Sequence, residues 1–444
     1  MAVIEEQQVP ELAGIGVKTA VPGLDWNEFH IEGDVTMQKG RSVSRRGFIK
    51  GSLGAAAAFT IVPRRVLGGA GNTPPSEKFG AALIGCGGRG NGTFEGLGPD
   101  VEKLAICDVK FLKKADNKTI YSDFRRVLER KDIDMVAIAT PPHWHALISI
   151  AAMEAGKDVL CEKPMTRFIA EGRAVANAEK RYNRIFQVGT FGRFDASKDA
   201  NRILTHKIMA SGLLKDCKAV HRARGGLKVK EWSGIVNAQP EPIPESLDWD
   251  MYCGPSPLRP YHPHRFGGTH RGYWDYEGGG LTDMGQHHYD PIQWTFAKDY
   301  TSPVEIEAYA PPAHPEACGM WGWVELKYAD GLTFTFESNE WGEPYNRKED
   351  RGVSLSDLSA EDQQKIKDMP DPEPLVSFPE AVRTRKQPGG HAEAAHRAVT
   401  LNHLANLAIR TGRKLRYDPV KELVIGDEEA NRLVNQPMRA PWHL

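Results

Sequence analysis

Cysteine is scarce, with six in 444 residues at positions 86, 107, 161, 217, 253 and 318. Six are too few for a disulfide scaffold, and without a C-x-x-C pair they offer no structural zinc site. Cys86, Cys107 and Cys161 fall in or beside expected strand ends, where a reduced cysteine serves as a small apolar residue. An excess of charge is also missing: 57 Lys+Arg oppose 58 Asp+Glu, for a formal net charge of -1. That balance argues against a polyanion partner, so no nucleic acid is expected. No uncharged apolar run approaches the ~20 residues that cross a bilayer, so no membrane span is expected. What is present is ordinary globular composition, 40% hydrophobic and 26% charged. The length suits two or three domains of about 150 residues, each with its own core.

Residues 44–50 read Ser-Arg-Arg-Gly-Phe-Ile-Lys, followed by a mildly apolar, Ala-rich stretch from Gly51 to Val62 and then Arg64 and Arg65. This resembles a twin-arginine (Tat) export signal, with paired Arg, a hydrophobic residue two positions on, and a weak h-region. The alternative is a chance Arg pair before a short Ala-rich helix. Some forty residues precede the motif, and Met37 lies just upstream of Arg45, so translation is expected to start there. Residues 1–36 then read as an extension and 37–75 as the export signal, with an exported, periplasmic destination and the Tat machinery as a partner. Both stretches stand outside the fold proper.

Phe79 to Ile84 is a short apolar run of strand type, followed at once by Gly85-Cys-Gly87-Gly-Arg89-Gly90. G-x-G-x-x-G after a strand is the dinucleotide fingerprint: Gly85 for the tight turn, Gly87 for close approach of the backbone to a pyrophosphate, Gly90 for helix–strand packing. Glycine loops are common, so context carries the argument. Leu104 to Asp108 reads as a second strand ending in an acid, eighteen residues past Gly90. There a carboxylate bonds the adenosine ribose and repels a 2′-phosphate, which favours NAD over NADP; the plain alternative is a solvated strand-end acid. Asp134 to Thr140 reads as a buried parallel strand. It leads through Pro141-Pro-His-Trp-His145 into a helix, Ala146 to Ala155, closed by Gly156. Val159 to Cys161 and Ile185 to Gly189 read as further strands. The alternation predicts a doubly wound parallel sheet whose ligand lies beyond the strands' carboxyl ends, where Trp144, Lys163 and the glycine loop also fall.

With those elements placed, the chain resembles the Gfo/Idh/MocA family of oxidoreductases. The resemblance rests on Gly85–Gly90, on Thr140-Pro-Pro-His-Trp-His145, on Ala155 through Glu162-Lys163-Pro164, and on Gly278 through Asp290. It extends from about residue 78 to 444. It implies an α/β chain: an N-terminal Rossmann domain over 76–195 and a C-terminal α+β domain over 196–444 with an open, mainly antiparallel sheet. That sheet commonly makes oligomer contacts, so a homo-oligomer is expected. The same motifs imply NAD contacts from Arg89, Thr140, His145, Glu162 and Lys163, beside Gly85, Gly87, Gly90 and Asp108. One departure shows: between Asp108 and the strand at 134, where a full helix is usual, only Phe111 to Thr119 is available for it.

Oxidising a secondary alcohol requires removing the hydroxyl proton while the carbinol hydride leaves. Lys163 sits just past a strand end, with Pro164 fixing the turn. Desolvation beside a positive nicotinamide loosens such a lysine's proton; otherwise it is an ordinary surface lysine. Asp283 and His287, four apart, share one face if helical. His287 can then act as general base, with Asp283 orienting it and stabilising the cation. In the family the positions matching Lys163, Asp283 and His287 form the catalytic group. A metal site built from His262, His264, Asp283, His287 and His288 fits no standard spacing, and none is expected.

Trp249 to Pro255 and Tyr261-His-Pro-His264-Arg265 form a Pro- and aromatic-rich loop before the Asp283 helix. Tyr261, His264 and Arg265 are either sugar contacts or core filling. Trp294, Trp321 and Trp323 read as core. His391 to Arg410 reads as a packing helix that buries one face, with no catalytic role for His396 or His403. Export and NAD pull against each other, because no free NAD pool lies outside the cytoplasm. Three readings reconcile them: a sugar oxidoreductase that retains and recycles its NAD, a redox-neutral glycoside hydrolase or lyase that oxidises transiently, and a non-catalytic sugar-binding module.

Overall fold

A computed structural model describes residues 78–111 and 117–444. The extension over 1–36 and the twin-arginine segment over 37–75 lie outside the described residues.

The first sheet has six parallel strands: β1 Phe79–Ile84, β2 Val101–Cys107, β3 Thr119–Tyr121, β4 Met135–Ile138, β5 Asp158–Cys161 and β6 Phe186–Val188. Their order is β3-β2-β1-β4-β5-β6, so the sheet reverses direction between β1 and β4. That switch point opens a crevice beyond the carboxyl ends, where open α/β sheets take their ligands. Val136, Ala137, Ile138, Val159, Leu160 and Cys161 are fully buried, as a strand covered on both faces requires. Of the segment from Phe111 to Thr119 available for a helix, residues 112–116 lie outside the described residues. Thr119 opens an edge strand, and the next helix is the short Phe124–Leu128, capped by the Asp123 side chain on the Arg125 amide. β-branched and aromatic Thr119-Ile-Tyr121 suits a strand better than the end of a helix.

The second sheet contains β7 Val220–Arg224, β8 Glu305–Tyr309, β9 Trp323–Lys327, β10 Thr333–Glu337, β11 Leu415–Asp418 and β12 Leu423–Val424. Its order is β12-β11-β8-β9-β10-β7, with only the β10–β7 pair parallel. One face packs Val324, Leu326, Phe334 and Phe336 against Leu281, Tyr289 and Ile292 of the helix Gly279–Thr295. Trp294, Trp321 and Trp323 are buried.

The helix Ala392–Thr411 buries almost its whole circumference, not one face. Ala392, Ala395 and Val399 enter the core of the parallel sheet, while Leu401, Leu404 and Ala405 enter the core of the second. A helix running between two cores has no solvent face to keep polar. His396 pairs with Glu422 at 2.9 Å, and His403 faces the Thr166 hydroxyl at 3.4 Å. Met438 and Trp442 also pack on the parallel-sheet core, with the Trp442 ring 4.7 Å from that of Trp144. The six cysteines are free thiols; five are buried and Cys86, in the glycine loop, is half-buried. Burial pushes the Cys86 thiol up to about 12, with the Asp108 charge adding to the effect, so it stays protonated.

Candidate active site

The glycine loop leaves β1 with Gly85 at φ +91°, where an added Cβ would lie 2.5 Å from the Ala139 and Thr140 backbone. Only glycine fits there. At Gly90 an added Cβ would meet the Gly85 carbonyl at 2.5 Å, whereas above Gly87 the space is open. The loop is therefore tight where it packs and bare where a pyrophosphate would approach. At the end of β2, Asp108 Oδ2 accepts the Cys86 amide at 2.7 Å and Oδ1 accepts the Lys110 amide at 2.8 Å. This fixes the carboxylate beside the loop. At the end of β4, the Thr140 hydroxyl is buried without a partner, an orphaned polar group at the strand's carboxyl end. Open backbone, a fixed carboxylate and an unsatisfied hydroxyl are what a dinucleotide would complete, so the residues fit NAD.

Three other expected cofactor residues divide into supports and contacts. Glu162 is buried at the end of β5, accepting from the Thr93 hydroxyl at 2.8 Å and pairing with Arg89 Nε at 3.1 Å. It therefore holds the exposed Arg89 over the loop. His145 is buried with Nδ1 2.8 Å from the Pro164 carbonyl and Nε2 2.7 Å from that of Thr140. Its ring ties the β4 loop to the turn carrying Lys163; burial lowers its pKa, while the two carbonyls act in the opposite direction.

The structure brings Lys163, Asp283 and His287 together across the two sheets. Lys163 Nζ donates to the Asp283 carbonyl and to Asp283 Oδ1, both at 2.8 Å, with the two side chains 12% and 6% exposed. Asp283 and His287 sit one turn apart on Gly279–Thr295. Burial alone would raise the Asp283 pKa, but Lys163 and Arg271 outweigh it and hold the carboxyl below the usual range. Burial, reinforced by the Lys163 charge, lowers the His287 pKa, so its imidazole is neutral and free to accept a proton.

A profile of the oxidoreductase family's NAD-binding Rossmann fold matches residues 80–190, and one of its C-terminal alpha/beta domain matches 199–444. The chain belongs to the Gfo/Idh/MocA oxidoreductase family. A levoglucosan dehydrogenase from Pseudarthrobacter phenanthrenivorans is 48% identical over 117 residues, 26% of this chain and 28% of that one. A glycosyl hydrolase family 109 protein from Solibacter usitatus is 29% identical over 164 residues, 32% and 37% of the respective chains. These alignments thus span about a third or less of the relatives' length. The WlbA dehydrogenase from Bordetella pertussis, solved with NADH and UDP-GlcNAcA, shares the fold. Its TM-score is 0.50 at 15% identity, over 77% of this chain and 99% of that one.

Within this family fold, sequence reasoning missed several residues that build the site. Gln286 accepts the Met165 amide at 2.8 Å and donates to the Ala395 carbonyl at 3.3 Å, locking the Lys163 turn to the Asp283 helix. Asp290 is fully buried between Thr190 at 2.7 Å and Arg193 at 2.8 Å, which fastens the same helix to the end of β6. Both lie inside the motif at 278–290, three and seven residues past Asp283, and that spacing was the available signal. Arg271, 2.6 Å from Asp283, had no signal in its own neighbourhood.

Tyr261 falls in an aromatic cluster with Trp249, Tyr252, Tyr273 and Tyr276, and His264 and Arg265 lie against the Tyr273 ring. Tyr261 packs edge-on to Trp249, His264 Nδ1 lies 2.9 Å from the Tyr273 hydroxyl, and Arg265 pairs with Glu316 at 3.1 Å. These contacts all lie within the cluster or on Glu316, and none reaches Lys163, Asp283 or His287.

Proposed function

We propose that the chain is an NAD-dependent oxidoreductase that converts a secondary hydroxyl of a sugar or glycoside to a ketone. The observation that carries this reading is the buried Lys163–Asp283 pair, set at the carboxyl edge beside the dinucleotide loop. Bound NAD+ would supply the two-electron hydride acceptor. The chain's own residues handle the proton and the orientation. Lys163, anchored by two hydrogen bonds, donates to the reacting oxygen and stabilises the developing alkoxide. His287, held neutral, takes the hydroxyl proton as the carbinol C–H pair leaves as hydride and the C=O bond forms. Asp283 then stabilises the imidazolium. Asp108 favours NAD over NADP, because a 2′-phosphate would meet its carboxylate.

The remaining expectations belong to the same reading. The twin-arginine signal sends the folded chain to the periplasm, and NAD loaded beforehand stays bound and is recycled by a second carbonyl compound. Assembly is homo-oligomeric through the C-terminal domain, whose β11–β12 edge exposes Val420, Leu423 and Ile425. The likeness to a glycosyl hydrolase family 109 protein supports a second reading, in which the hydride returns to the substrate after elimination.

The deciding experiment denatures the purified, dialysed protein and assays the supernatant for nucleotide. About one NAD per chain supports retention and recycling. An empty protein that binds NAD only weakly overturns retention in favour of a freely exchanging dehydrogenase. A panel of sugars and glycosides then separates the chemistries. Net ketone with an acceptor supports the oxidoreductase, and free sugar without one supports the redox-neutral hydrolase.

A further inference from the structure

Asp283 carries more positive charge than a lysine–aspartate–histidine group needs. Arg271 lies on the turn Gly267–Gly272, with Nε 2.6 Å from Asp283 Oδ1, the oxygen already held by Lys163. Its guanidinium sits 4.8 Å over the Trp232 ring, with the Glu277 carboxylate 4.0 Å from Nε. One terminal nitrogen, Nη1, donates to the Gly268 carbonyl at 3.0 Å. Despite its approach to Asp283 the buried Nε makes no hydrogen bond, and among the described residues Nη2 donates to nothing and Asp283 Oδ2 accepts from nothing. The Arg271 side chain keeps 25% of its surface exposed, although its neighbours Asp283 and Glu277 are buried.

An open donor edge therefore stands beside an open acceptor oxygen at the catalytic carboxylate. The two cations, Lys163 and Arg271, are matched by the two carboxylates, Asp283 and Glu277, so no net charge is left to select an anion. A neutral hydroxyl, which both donates and accepts, satisfies the pair. We propose that Arg271 is a specificity-determining residue which, with Asp283 Oδ2, grips the hydroxyl on the carbon next to the one oxidised. The substrate is then a vicinal diol, a sugar or cyclitol rather than an isolated secondary alcohol. This rests on the oxidoreductase reading above. Lys163 and His287 address the reacting oxygen, and Arg271 with Oδ2 addresses its neighbour, which fixes the carbinol C–H toward the cofactor side.

The test uses the full chain and its Arg271→Gln and Arg271→Lys variants with two readouts. The first follows NADH formation from levoglucosan and myo-inositol and from analogues deoxygenated at the adjacent carbon. A lost hydrogen bond to a charged group predicts about 10- to 100-fold lower kcat/KM for the deoxy analogue in the unaltered chain. In Arg271→Gln that discrimination falls to a few-fold, and Arg271→Lys restores part of it. Equal discrimination in all three proteins overturns the proposal. The second readout needs no substrate: the pH titration of the Asp283 carboxylate by infrared difference against Asp283→Asn. The charged groups facing it are Lys163, Arg271 and His287, with Glu277 behind Arg271. Its midpoint should rise by about one pH unit in Arg271→Gln and return toward the original in Arg271→Lys. An unmoved midpoint overturns the pairing. If the unaltered chain reduces no NAD+ with any sugar, the oxidoreductase reading fails, and the titration still decides whether Arg271 governs Asp283.

Discussion

Replacing Lys163 with alanine separates stability from chemistry at one position. Its ammonium makes two hydrogen bonds, both to Asp283 at 2.8 Å, in a pair that is 12% and 6% exposed. Removing one partner of a buried pair usually costs about 3–5 kcal/mol, because the remaining charge is stranded. Here Arg271 still lies 2.6 Å from the Asp283 carboxylate. The carboxylate remains compensated, so the loss should be nearer the value of a charged hydrogen bond, about 1.5–3 kcal/mol. Denaturant unfolding of Lys163→Ala should show that loss with an unchanged m-value. Sugar-dependent NADH formation should fall about 10²- to 10³-fold, the usual contribution of one donor that stabilises a developing oxyanion. A folded Lys163→Ala protein with undiminished turnover would refute the site assignment. A loss of about 3–5 kcal/mol, the cost of a stranded charge, would refute the claim that Arg271 shares the charge.

Three other expectations test separate links. Gly85→Ala forces a Cβ to within 2.5 Å of the Ala139–Thr140 backbone and should unfold the loop, whereas Gly87→Ala faces open space. Gly87→Ala should keep the melting temperature and weaken NAD binding, measured by calorimetry; a matched loss of stability would count against the open-cradle reading. His287→Asn should remove the acid limb of the kcat/KM profile, a limb with its midpoint below 6.5 because burial and Lys163 disfavour the imidazolium. A limb that survives the substitution assigns the base elsewhere. Glu393 and Glu422 are pushed up by burial but more strongly down, Glu393 chiefly by Arg173 and Glu422 by His396 and then Arg173, from the ordinary 4.5 to about 2. The unfolded chain takes up these protons first, so their contribution is complete above pH 4.5 and disappears as pH falls toward 2. Arg173→Ala should flatten that stretch of the stability curve measured by urea unfolding.

Periodicity and punctuation made much of the parallel sheet legible. Unbroken apolar runs at 79–84, 135–138 and 159–161 belong to strands buried on both faces, and glycine at 85 and 156 takes backbone angles that few other residues adopt. The four-residue spacing of Asp283 and His287 was enough to place them on one face, because a helix returns every 3.6 residues. Local pattern failed where the deciding neighbour is remote. Thr119–Tyr121 is a strand because β2 offers it an edge. The helix Ala392–Thr411 is buried all round because two cores meet along it.

The same division holds at the site. Sequence alone singled out the residues proposed to bear the chemistry: the glycine loop and Asp108 through a strand–loop–strand pattern, and Lys163, Asp283 and His287 through motifs that resemble the family's. Tertiary structure alone decided that Lys163 reaches Asp283, 120 positions away, and that Gln286 and Asp290 fasten the catalytic helix to the nucleotide sheet. It also decided that Arg271 shares Asp283 with Lys163. Ion pairs and buried hydrogen bonds act over a few ångströms of space and are indifferent to separation along the chain, so only the packed fold selects which charges meet.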